Sequence, residues 1–167
     1  MVAISMPIGA VVTAAHSTPQ FAIGERAFGI GGDVYIYGQY NTAGTGLAKG
    51  HAVAIPATGS TMLELTIALC SADLGIGWSQ VGGTDSANAV TAGAYFWAQI
   101  EGVGTIAVAE SCVGAVPLYP TTTAGVLDDA SAGTLIRGVT LIATVGAGGT
   151  KLANGHIRGG RVGATIA

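Results

Sequence analysis

Charge is what this chain has least of. Only 9% of its 167 residues are Asp, Glu, Lys or Arg, where about 25% is usual for a soluble domain. A monomer's exterior normally carries interspersed charges of both signs. Two readings account for the deficit. The exterior is built of Thr, Ser, Gly and Asn, or much of it is covered in an assembly. We take the assembly as the working expectation.

The few charges are unevenly placed. Residues 1–133 hold all nine acids and only Arg26 and Lys49 as bases. Residues 134–167 hold Arg137, Lys151, Arg158 and Arg161 and no acid. Four bases over that length are too dilute for a nucleic-acid tail. They either fold back on acidic strands of the same chain or pair with acids of another subunit.

Cysteine is scarce too. Cys70 and Cys112 are the only two, and neither lies in CxxC or at metal spacing from a His. They read as small buried hydrophobes with free thiols rather than a disulfide. No apolar run reaches the 18 or so residues of a spanning helix, so no membrane partner is expected. "VAISMPIGAVVTAA" (2–15) is apolar, but it lacks a basic n-region and is interrupted by Pro7 and Gly9, unlike a signal peptide. A chain made and used in cytoplasm is the simplest expectation.

Catalytic and cofactor motifs are missing as well. His16, His51 and His156 each stand without a second ligand at metal spacing. Ser60 in "TGSTM" is not a nucleophile elbow. "GIGGDV" (29–34) fails the dinucleotide pattern. "GAGGTK" (146–151) has the flavour of a phosphate loop, but its Lys and Thr are in the wrong order and the final Gly is missing. Asp128-Asp129, the only adjacent carboxylates, reads as a solvated turn rather than a Ca²⁺ loop. The expectation is therefore no enzyme, no cofactor and no metal.

What remains is a β signature. Half the residues are apolar and 28 are Gly, a composition that excludes disorder. Strand candidates are 33–40, 51–55, 61–69, 75–80, 94–101, 104–110, 116–119, 134–145 and 151–158. Gly, Pro, Asn and Thr clusters separate them at sandwich or barrel spacing. "GVG" (102–104) reads as a tight hairpin between two of them. "LGIGWSQV" (74–81) and "LIRGVTLI" (135–142) echo each other on Gly77 and Gly138. The expected fold is all-β: one small antiparallel β-barrel or β-sandwich over 25–167, with an extended N-terminal arm over 1–24. The arm lies on a neighbour or gives an edge strand at home.

"AGAYFWAQIEG" (92–102) concentrates three of the ten aromatics. Period two sends Tyr95, Trp97, Gln99 and Glu101 to one face and Phe96, Ala98 and Ile100 to the other. The second set is a core face. The first must meet a second sheet, a sister subunit or another protein. Tyr95 and Trp97, with Arg137, Lys151, Arg158 and Arg161, are the candidate interface residues, since aromatics bury much area with few rotors.

Three stretches carry a resemblance: "GDVYIYGQYNTAGTGLAKGHAV" (32–53), "AGAYFWAQIEGVGTIAVAES" (92–111) and "PLYPTTTAGVLDDASAGTLIRGVTLIAT" (117–144). Their order and composition resemble the capsid decoration, or head cement, proteins of tailed bacteriophages, over roughly residues 24–145. Phe96 stands where that family often has Gly before the strand Trp. The resemblance implies a small β domain on the outside of a virion, bound to the major capsid protein. It also implies a homo-oligomer, often a trimer, assembled in the host cytoplasm, with no nucleic-acid partner. No catalytic residue carries over. The rival expectation is a carbohydrate-binding or adhesin-like module using Trp78, Tyr95 or Trp97 as a stacking platform.

Overall fold

The computed structural model describes residues 11–42, 46–56, 61–71, 74–81, 90–130 and 134–162. Among the described residues, eleven strands form one sheet system: β1 (Ala15–His16), β2 (Arg26–Phe28), β3 (Val34–Tyr40), β4 (Ala52–Ile55), β5 (Thr61–Glu64), β6 (Gly75–Ser79), β7 (Tyr95–Val108), β8 (Tyr119–Pro120), β9 (Leu127–Asp128), β10 (Ile136–Leu141) and β11 (Lys151–Val162). The fold is all-β. Its centre is a closed five-strand barrel in which β7 pairs β3, β3 pairs β5, β5 pairs β4, β4 pairs β6, and β6 returns to β7. The β3–β5 pairing is parallel and the other four are antiparallel.

Alternation along the strands sorts side chains into three apolar clusters. Phe96, Ala98 and partly buried Ile100 of β7 join Tyr40, Val53, Ile55 and Met62 in the barrel interior. Ala52 and Ala54, the other parity of β4, face outward with Ile76 and Trp78 of β6. A second layer made by β10, β11 and the far half of β7 covers them through Ile106, Val139, Leu141 and Ile157. Trp97, Tyr35, Tyr37 and Ala27 form the third cluster, on the opposite flank.

The third cluster answers what the Tyr95/Trp97 face meets. It is roofed by the chain's own N-terminal segment. Val12 and Phe21 pack onto it. The Phe21 ring lies 5.1 Å from Trp97 and 5.3 Å from Tyr37. Gln20 N donates to the Tyr37 hydroxyl at 3.1 Å, and β1 pairs with β7 at Ala15–Phe96 and His16–Tyr95. Residues 15–16 thus form an edge strand at home. Residues 1–10 of the expected arm lie outside the described residues.

Two local expectations are corrected. "GVG" is not a hairpin, because β7 runs unbroken from Tyr95 to Val108. Its first half pairs β3 and its second half pairs β11, and the change of partner occurs at these glycines. Asp33 sits beneath them. Its Oδ1 accepts from Val103 N at 3.2 Å and from Gln99 Nε2 at 3.3 Å. Gly102 adopts φ +108°, and a Cβ there would overlap the Asp33 carboxylate; one on Gly104 would overlap the Gln99 amide. The candidate strand 61–69 also stops at Glu64 and gives way to a 3-10 turn at Ile67–Ser71. Cys70 Sγ–H bonds Thr66 O there.

The echoed glycines do different work. Gly77 lets the barrel close on Ala98 and Ile55, whereas Gly138 takes φ +75° at the irregularity in the β10–β11 ladder.

Three substitutions test this packing. Gly102→Ala should cost about 3 kcal/mol, from a residue strained by positive φ together with displacement of Asp33. Urea denaturation with an unchanged m value checks it. Trp97→Ala should lower the stability of the isolated chain by about 3–5 kcal/mol, as a fully buried aromatic does. Phe21→Ala should cost less and shift the Trp97 emission to the red. A Trp97→Ala loss under 0.5 kcal/mol would place that ring outside any core.

Candidate contact face

The six candidate interface residues do not come together. Trp97 is 0% exposed and Tyr95 is half-buried, its ring stacked with that of Tyr37 at 6.2 Å. Both sit under the N-terminal segment, so the expected aromatic anchor is internal to the chain. Burial follows from Phe21, whose position nothing in the strand pattern announced. The bases lie on the β10–β11 layer instead. Arg137 and Arg161 are opposite each other in the ladder, and Arg158 is opposite Glu101 of β7. Lys151 is half-buried at the far end, beside Glu110.

The outward face of β10, β11 and the second half of β7 is a regular three-strand surface. Leu152, Asn154, His156 and Arg158 alternate outward along β11, against Ala153, Gly155 and Ile157 inward. His156 lies between Val103 of β7 and Thr140 of β10, and Asn154 lies opposite Thr105. Three aliphatic side chains stand in solvent on or beside this face: Val103 at 52% exposure, Ile142 at 51% and Leu152 at 39%. Arg158 and Glu101 edge it as a cross-strand pair of opposite charge, a favourable arrangement. The Lys-Leu-Ala-Asn-Gly-His-Ile-Arg alternation already places Leu152 on the polar side, and that anomaly is the signal sequence reading passed over. A depression of about 390 Å³ opens beside this edge, lined by Gly32, Glu101, Gly102, His156, Ile157 and Arg158.

Two polar clusters lie elsewhere. His51 Nδ1 is 2.5 Å from Glu64 Oε1, and the Tyr40 hydroxyl donates to Glu64 Oε2 at 3.3 Å. Thr42 Oγ1 accepts from Glu64 N at 2.8 Å. Gly125 lies against the His51 ring; a Cβ there would come within 2.8 Å of it. The cluster therefore clamps the 121–126 loop to β4 and β5, reinforced by the backbone bonds Gly125 N to Leu65 O and Ala52 N to Gly125 O. Burial, with the Glu64 carboxylate adding to it, pushes the Tyr40 hydroxyl up to about 12.

The second cluster joins Cys112, Asp128 and Asp129, whose donor atoms lie within 4.8 Å of one another. Both carboxylates are half-buried rather than in an open turn, which corrects the sequence reading. Burial pushes the Cys112 thiol up to about 11, with Asp129 adding to it. Burial also raises Asp128, which shares a hydrogen bond with Asp129. A thiol held protonated is a poor metal ligand. Cys70 and Cys112 are both buried and free.

No protein-family model matches the chain, and none of the curated proteins compared with it matches either. No helix among the described residues is long and apolar enough to cross a membrane.

The Tyr40 hydroxyl sets an alkaline limit. Below pH 10.0 the phenol is protonated folded and unfolded, and the stability it supports is intact. Between pH 10.0 and about 12 the unfolded chain releases the proton and the folded chain keeps it, so stability falls. Tyr40→Phe should flatten that part of the stability–pH curve, measured by denaturant midpoints across the interval. An unchanged slope would mean the phenol is not shielded.

Proposed function

We propose that this chain is a structural protein of a tailed-phage virion. It docks on the outer surface of the capsid, binds the major capsid protein and other copies of itself, and stabilises the head. The observation that carries this reading is the outward face of β10, β11 and β7. Exposed Val103, Ile142 and Leu152 lie on or beside a regular sheet surface in a chain with very few charges. Exposed aliphatic side chains interspersed with Asn154, His156, Arg158 and Glu101 give the mixed apolar and polar make-up usual for a non-obligate interface. The sequence resemblance supplies the identity of the partner.

The carbohydrate-module reading loses its platform. Trp78 and Trp97 are fully buried, and Tyr95 is half-covered by the N-terminal segment. A stacking site needs open ring faces.

The test uses heads assembled from the major capsid protein of the phage that carries this sequence, prepared without this chain. The purified protein should co-sediment with them at a saturating, fixed ratio and raise the temperature at which they rupture. Val103→Asp should abolish co-sedimentation while leaving the free protein's stability within about 0.5 kcal/mol, as expected at an exposed site. Heads that bind nothing sink the reading. Val103→Asp protein that binds as well as the wild type moves the contact off this face.

A further inference from the structure

The "GAGGTK" stretch failed as a nucleotide loop on sequence, yet its glycines build an anion cradle. Gly148 and Gly149 adopt φ +99° and +73°. Their N–H groups converge on one oxygen, donating to Glu110 Oε2 at 2.5 Å and 3.2 Å. Successive backbone N–H groups in such turns form concave anion-binding nests. Lys151 Nζ comes to 3.5 Å from where a Cβ on Gly148 would sit, so an ammonium stands at the lip.

The geometry points to an oxyanion receptor in residues 146–151, occupied by the chain's own Glu110 and open to an external phosphate or carboxylate when that side chain leaves. Glu110 is a surface residue with a clear way out. The cradle does not depend on it for its frame. Ser111 N donates to Gly146 O at 3.1 Å, Val145 N to Cys112 O at 3.0 Å, and Gly114 N to Thr144 Oγ1 at 3.1 Å. None of these uses the Glu110 side chain. Two amides and an ammonium offer donors and positive charge to either kind of oxyanion. The Gly148 and Gly149 N–H groups, with Lys151 beside them, hold the Glu110 carboxyl below its ordinary range. The sign is clear: the closed loop is favoured at neutral pH and released as acid protonates Glu110. This inference is independent of head docking and of the three-strand face.

The experiment follows the Gly148 and Gly149 amides by ¹⁵N–¹H NMR in the wild type and in E110A. Inorganic phosphate and, separately, acetate are the probes. E110A should show saturable shifts of both amides with phosphate, at an apparent affinity at least tenfold tighter than the wild type, where the resident carboxylate competes. A matching acetate response identifies a receptor for any oxyanion, and a phosphate-only response one selective for tetrahedral anions. In the wild type, acidification alone should move both amides, with a midpoint below the ordinary glutamate value. That arm needs no variant. Amides in E110A that ignore both anions, equal responses in wild type and E110A, or wild-type amides that do not titrate with Glu110 would each overturn the assignment.

Discussion

A single strand has to serve both the barrel and the layer outside it, and the Asp33 carboxylate makes that possible. β7 leaves the barrel and enters the outer layer within three residues. A strand that changes partners this sharply leaves backbone donors without ladder bonds. Asp33 takes up Val103 N and one Gln99 hydrogen, while Gln99 Nε2 also reaches the carbonyls of Glu101 and Val103 at 3.1 and 3.3 Å. Gln99 is buried with this network as its partner. The glycines at 102 and 104 keep the space that carboxylate and amide occupy. Substituents there would push the bend apart, and the outer layer would lose its register against β11.

The molecule's polar clusters share that logic. Each lies where a loop must be fixed to a strand end: Asp33–Gln99 under the bend of β7, His51–Glu64–Tyr40 under the 121–126 loop, and Glu110 under the 146–149 turn. In a chain with nine acids, six among the described residues, Glu25, Asp33, Glu64, Glu110, Asp128 and Asp129, accept hydrogen bonds from main-chain groups or buried side chains. These acids fasten loops and strand ends, and part of the exterior is left to aliphatic residues.

The parts legible in the sequence were those governed by strand period. Alternation in 95–101 divided the side chains between two buried environments correctly, and most strands fell within a few residues of their candidates. The all-β class followed from short strands and glycine-rich turns, which left barrel and sandwich open; the strand pairings make it a closed barrel. Three things were not legible, for one reason: each depends on a partner distant in sequence. The fate of Trp97 hung on Phe21. The reading of "GVG" as a turn failed because Asp33, about seventy residues earlier, holds those glycines in a bend within one continuous strand. The proposed contact face needed β10, β11 and β7 side by side before Val103, Ile142 and Leu152 could be placed on or beside one sheet surface.

Barrel closure has a kinetic side. Gln39 pairs with Tyr95 and Val34 with Glu101, separations of 56 and 67 residues. The parallel β3–β5 contact cannot be made by a tight turn either. Bringing such distant segments together costs loop entropy before any burial compensates, and topologies of this kind fold in milliseconds to seconds rather than microseconds. Without β7, the β3 edge it pairs would be open and the Tyr37 ring would lose the cover of Trp97. A nascent chain in that state is at its most adhesive, and crowding by identical chains would favour wrong pairings over the slow right one.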